Sequence, residues 1–159
     1  MELEVEVKMT PTALYDYMLY HTYHSFAGIL GAVVGVFLVI VFLSGQSPIY
    51  LVAGIVVLGY LPYALFTRSR SQYLNTPAFK EPLKYTFNDE GVTVSQNDVS
   101  ESMEWENMVK AVSTPNSIIL YTSKVNASIF PKKDLGDKKT LVIQAISTHM
   151  DPKKVKIRQ

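Results

Sequence analysis

The side chains that could do chemistry in this chain are mostly bases, and they come in clusters. Lys132 and Lys133 follow Pro131 directly, and Lys153, Lys154, Lys156 and Arg158 place four bases in six residues. Arg68 and Arg70 form a third group. Clustered lysines attract phosphate as point charges, and a base close to an anionic leaflet gains about 1 kcal/mol. These eight residues are the candidates for contact with anionic lipid headgroups or with a partner protein. Plainer readings stand beside that one. Pro131-Lys132-Lys133 also suits a solvated loop, its field diluted by Asp134 and Asp137, and the last bases also suit a solvated end.

Other chemistry has little support. The chain has no cysteine, which excludes disulfides, thiolate metal sites and a cysteine nucleophile. It has no Gly-rich phosphate loop, no nucleophile-elbow pattern and no His-Glu-x-x-His. His21 and His24 lie three apart and would share a helix face, yet no third metal donor is near in sequence, Asp16 being more than a turn away. Trp105 is the only tryptophan and reads as a core anchor or, less simply, as a ligand contact. The expectation is a protein that is not an enzyme, with no cofactor, no metal and no nucleic-acid partner.

The elements that must position these residues are set by a gap in the charge pattern. Between Phe26 and Phe66 there is no Asp, Glu, Lys, Arg or His. Two apolar runs, 26–43 and 49–66, flank the uncharged break Ser44-Gly45-Gln46-Ser47-Pro48. A helix needs about 20 apolar residues to cross a bilayer, so the pair predicts a transmembrane hairpin. Tyr15, Tyr17, Tyr20 and Tyr23 before the first run, and Tyr60 and Tyr63 near the end of the second, suit headgroup depth. Gly31 and Gly35 form a small-x-x-x-small step for close helix packing, either against the second span or in a homodimer. Pro62 is expected to kink the second span or end it early. Arg68, Arg70, Lys80 and Lys84 follow the second span, which places both termini in the cytoplasm of a multi-pass cell-membrane protein.

Residues 1–25 hold a strand and a helix leading into the membrane. Residues 2–9 alternate polar and apolar, the signature of a strand with one buried face. A lone strand has no stable place in water, and a hairpin returns the chain to its starting side, so this strand is predicted to join the C-terminal sheet. Thr10 and Pro11 fit the N-cap and first position of a helix. Residues 67–82 read as a connector. Residues 83–150 read as strands at 83–88, 92–96, 100–105, 109–114, 118–122 and 127–130, then a helix capped by Asp137 and running to Met150. A basic tail, 151–159, ends the chain.

Six short strands in up-and-down order and one amphipathic helix are the layout of a pleckstrin-homology-like β-barrel. The fold class is thus an α+β membrane protein. Three segments carry a closer likeness: Phe87-Asn88-Asp89-Glu90-Gly91-Val92, Trp105-Glu106-Asn107-Met108-Val109-Lys110 and Ala127-Ser128-Ile129-Phe130-Pro131-Lys132-Lys133. On these segments the chain resembles the YcxB-like membrane proteins. The resemblance implies a bacterial inner-membrane protein with a cytoplasmic barrel and does not imply an enzyme.

The functional expectation is a membrane-anchored adaptor or scaffold that presents this domain to a protein partner. The alternatives are a reader of anionic lipid headgroups and an accessory subunit of a membrane transporter or enzyme.

Overall fold

A computed structural model describes residues 2–157. Arg158 of the basic tail lies outside the described residues.

The alternating segment at the N-terminus is β1 (Leu3–Val7), with Leu3, Val5 and Val7 buried and Glu4 and Glu6 exposed. Thr10 then caps α1 (Pro11–Tyr23), its side chain accepting from the Ala13 amide at 3.2 Å. A short break at His24-Ser25 leads into α2 (Phe26–Leu43), and an uncharged turn leads into α3 (Ile49–Asn75). These are two helices long and apolar enough to cross a membrane, and only 11% of each apolar stretch is buried. Phe26, Phe37, Leu43 and Val52 all point outward, so the hairpin is not the core of a soluble fold.

Two expectations about α3 change. Pro62 does not end it, and α3 runs on through Arg68 and Arg70 to Asn75. The connector expected over 67–82 therefore begins only after Asn75. Tertiary packing explains the continuation: Leu65 and Ser69 are buried, and Tyr73 packs against the cluster of Met9, Ala13, Leu14 and Ile129.

Beyond α3 the chain builds β2 (Leu83–Phe87), β3 (Gly91–Gln96) and β4 (Val99–Glu104). With β1 they form one antiparallel sheet in the order β1-β2-β3-β4. The register pairs Leu3 with Phe87, Val5 with Tyr85 and Val7 with Leu83, so the N-terminal strand does join the downstream sheet. The second sheet holds β5 (Lys110–Ser113), β6 (Ser117–Tyr121) and β7 (Ala127–Pro131). After the short α4 (Lys132–Leu135) and a 3-10 turn comes α5 (Lys139–His149). Asp137 falls inside that turn, and the helix starts after Lys138 with no side-chain cap.

The tail is also corrected. Pro152–Lys154 form a 3-10 turn, and β8 (Val155–Lys156) pairs parallel with β5, giving the order β7-β6-β5-β8. No closed barrel forms among the described residues. The 3-10 turn Trp105–Asn107 interrupts the chain between β4 and β5, and the two strands fall in separate sheets.

One core fills the space between the sheets. Phe87, Val92, Ile118, Leu120, Phe130, Val142 and Ile146 are among its most enclosed side chains. Burying each large apolar side chain contributes about 1.5–3 kcal/mol. The outer face of the second sheet is covered by α1: Val112, Ile119 and Tyr121 pack with Tyr17 and Tyr20. On its other side α1 meets α3, with the Tyr15 ring edge-on to Phe66 at 5.8 Å. Helix α1 is thus the layer between the apolar hairpin and the second sheet.

Candidate functional site

The three motif segments meet in the core. Asn88 forms the β2–β3 turn, its side-chain oxygen accepting from the Glu90 and Gly91 amides at 3.0 and 2.8 Å. The Trp105 indole N–H donates to the Asn88 carbonyl at 2.9 Å, and the Trp105 amide donates to Glu90 O at 3.2 Å. At Gly91 an added Cβ would fall 2.1 Å from the Met103 carbonyl oxygen, so only glycine fits there. Phe130 of the third segment packs on Tyr85 and Phe87, with ring centroids 4.7 and 5.5 Å apart. Trp105 is buried against Phe87 and His149. These residues specify the two-sheet fold.

The predicted bases among the described residues differ in their surroundings. Lys132 turns its ammonium onto the Thr114 and Pro115 carbonyls. Burial, with Lys139 adding to it, pulls its pKa below the ordinary lysine value. Lys133 is exposed beside it. Lys154 donates to Met108 O at 3.1 Å, whereas Lys153 and Lys156 are exposed. Arg68 and Arg70 ride on α3, with the Arg70 guanidinium 5.6 Å from the Phe66 ring centroid. Of these bases, Lys132 and Lys154 are held by backbone carbonyls inside the fold.

Gly31 and Gly35 face the second helix of the same hairpin. A Cβ on Gly35 would meet Leu58 Cγ at 2.6 Å, and one on Gly54 would meet Val39 Cγ2 at 2.8 Å and the Gly35 carbonyl at 3.0 Å. The tight crossing is therefore Gly35 on Gly54. Gly31 has room to spare, since a Cβ added there would lie 3.6 Å from Leu61 Cδ1.

Two features have no clear mark in the sequence. The first is an open cleft of about 640 Å³ between α1 and the second sheet, lined by Asp16, Tyr20, His24, Thr114 and Lys156. The Thr114 hydroxyl donates to the Asp16 carboxylate across it. Lys110 stands nearby, its Nζ 4.4 Å from the Tyr121 ring centroid and 5.9 Å from that of Tyr20. The signal for Lys110 is its period-two spacing from Val112 on β5, hidden because nothing local to β5 places α1 on that face. The His24 Nδ1–H donates to the Tyr20 carbonyl at 2.8 Å, and the His21 ring stacks beside both Tyr17 and Tyr121, which also touch each other. No cluster of three metal-binding side chains occurs among the described residues.

The second is the edge of β5. Ala111 and Val112 are both buried, one facing each side of the sheet. That edge is taken by β8, with Ala111 opposite Val155 and Val112 opposite Lys156.

An apolar helical hairpin whose two flanks together build one small two-sheet domain is the class this architecture defines. Within it, residues 87–142 match the family described as YcxB-like protein. The resemblance read from the three motif segments therefore holds over the stretch that contains them all. No curated protein and no solved structure matches the chain.

Proposed function

We propose that the protein is a membrane-anchored adaptor. In this reading α2 and α3 cross the cell membrane as a hairpin, both termini face the cytoplasm, and the two-sheet domain meets a protein partner at the leaflet surface. A four-stranded sheet facing a second sheet, closed by α5, is a pleckstrin-homology-like layout opened into two layers. The observation that carries the reading is the continuity of α3. Its 27 residues start in the apolar hairpin and end packed on the domain, while β1, which precedes the hairpin, is a strand of the same domain. Such an anchor presents a surface in a fixed pose and brings no catalytic group with it.

A second reading is favoured by the cleft beside His24, which opens two residues before α2 begins. With Lys156 on its wall and Lys110 near, it suits an anionic headgroup.

The test exploits the absence of cysteine. Single cysteines at Gln46 and Asn97 should label from opposite sides of the membrane. Photo-crosslinkers at Ser147 on α5 and at Lys110 then separate the readings. Adducts with a protein from Ser147 or from Lys110 support the adaptor. Adducts with lipid alone, from Lys110 alone, would replace it with the headgroup reader.

A further inference from the structure

We infer that the outer edge of β5 is a strand-accepting site, held in cis by residues 155–157, and that its partner is an extended peptide with two apolar side chains flanking a charged one. The inference rests on the adaptor reading and names the chemistry of the partner.

The structure already seats such a peptide there. Val155 and Ile157 are half-buried and pack against the core that Val142 and Ile146 close, while Lys156 between them is exposed. That alternation is what a strand laid on a sheet edge requires, with main-chain bonds giving affinity and alternate side-chain pockets giving selectivity. The seat is complete without β8. Ala111 and Val112 belong to the core on both sides of the sheet, and β5 is paired along its other edge from Lys110↔Tyr121 to Ser113↔Ile118.

The occupant is the least secured strand of the fold. It has two residues and a parallel register, and parallel pairing is the weaker kind per residue. Its approach is held by a local clamp: Asp151 accepts from the Lys153 amide at 2.8 Å, and Lys154 Nζ reaches Met108 O. Short, weakly paired strands open with far less free energy than the core around them.

The other edges are less suited. The β1 edge is engaged by Lys138, whose Nζ donates to Glu4 O at 2.8 Å. Strand β4 is exposed along most of its length and carries Glu101 and Glu104, the guarded form of an edge. Strand β7 runs directly into α4.

The experiment uses the full chain in lipid nanodiscs and the labelled peptide Asp-Pro-Lys-Lys-Val-Lys-Ile-Arg-Gln as probe. The double variant Val155→Glu with Ile157→Glu should free the edge and bind the peptide about tenfold or more tighter than the parent chain does. A peptide carrying the same two Glu replacements should bind neither protein. Trp105 emission reports whether the variant is folded. Hydrogen exchange on the parent chain covers the case where it is not. Amides of residues 155–157 should exchange about a hundredfold faster than those of Ile118 and Leu120, through local opening. A folded variant that ignores the peptide, or amides at 155–157 that exchange only with the core, would overturn the proposal. The adaptor reading fails separately, on the absence of protein adducts from both Ser147 and Lys110.

Discussion

Trp105 and His149 lie face to face, ring centroids 5.2 Å apart and planes 9° from parallel. The contact joins the chain segment between the two sheets to the last turn of α5. His149 Nδ1 is 2.9 Å from the Ala145 carbonyl and Nε2 is 3.5 Å from an Asp89 carboxylate oxygen. Replacing His149 with Ala should uncover one face of the only tryptophan. Its emission should shift to the red, and urea unfolding should show a loss of about 0.5–1.5 kcal/mol, the usual worth of an aromatic pair. Unchanged emission would mean that α5 does not seat on Trp105 in solution.

The hairpin makes a ranked prediction. Gly54→Ala would press a methyl against the Val39 side chain and the Gly35 carbonyl, so backbone must move. It should destabilise the helix pair by about 1–3 kcal/mol. Gly31→Ala meets only ordinary contact and should be close to neutral. Disulfide trapping of cysteines placed across α2 and α3, in nanodiscs, would read the order. Equal effects at both glycines would contradict a crossing centred on Gly35 and Gly54.

Strand β1 is a required part of the domain although the whole hairpin separates it from the rest. Val5 is 2% exposed and faces the core. Val5→Asp would bury a carboxylate without a partner, and the domain should lose more than about 3 kcal/mol or fail to fold. Deleting residues 2–9 should do the same. A melting curve unaffected by either change would show that the second flank folds alone.

Alkaline titration probes Tyr121. Its hydroxyl is buried with no hydrogen-bond partner among the described residues, and burial, with Tyr17 and Tyr20 close by, raises its pKa well above the ordinary tyrosine value. A raised acid keeps its proton in the folded state. The stability this contributes is whole below the unfolded value of about 10 and is lost as pH climbs from there toward the folded value. Tyr121→Phe removes an unsatisfied hydroxyl, so at neutral pH it should be neutral or stabilising. Above about pH 10 the variant should lose less stability than the parent. Identical pH profiles for the two proteins would show that Tyr121 has no part in the alkaline transition.

Much of this fold is legible in residue order, for reasons that are local. Alternation over 2–9 marks β1, the uncharged stretch marks both helices, and Asn88 and Asn97 mark tight turns. Asn97 indeed takes a positive φ of 51°. What is not legible is decided by partners distant in sequence. Pro62 predicts a kink or an early end to the helix, but Leu65, Ser69 and Tyr73 dock beyond it and α3 continues. Val155-Lys156 is too short for a strand signal of its own and becomes a strand only because β5 offers an edge. The candidate bases are legible as a cluster of charge. Which of them face solvent depends on carbonyls at Thr114 and Met108, far away along the chain.

The unbroken α3 has a mechanical consequence. A 27-residue helix is a rod of about 40 Å, clamped at one end by α2 and at the other by α1 and the domain. A rotation of about 10° at the hairpin end would carry the far end through roughly 7 Å, given that length. A change in the pitch of the hairpin is thus expected to swing both sheets, less any bending of α3 at Pro62.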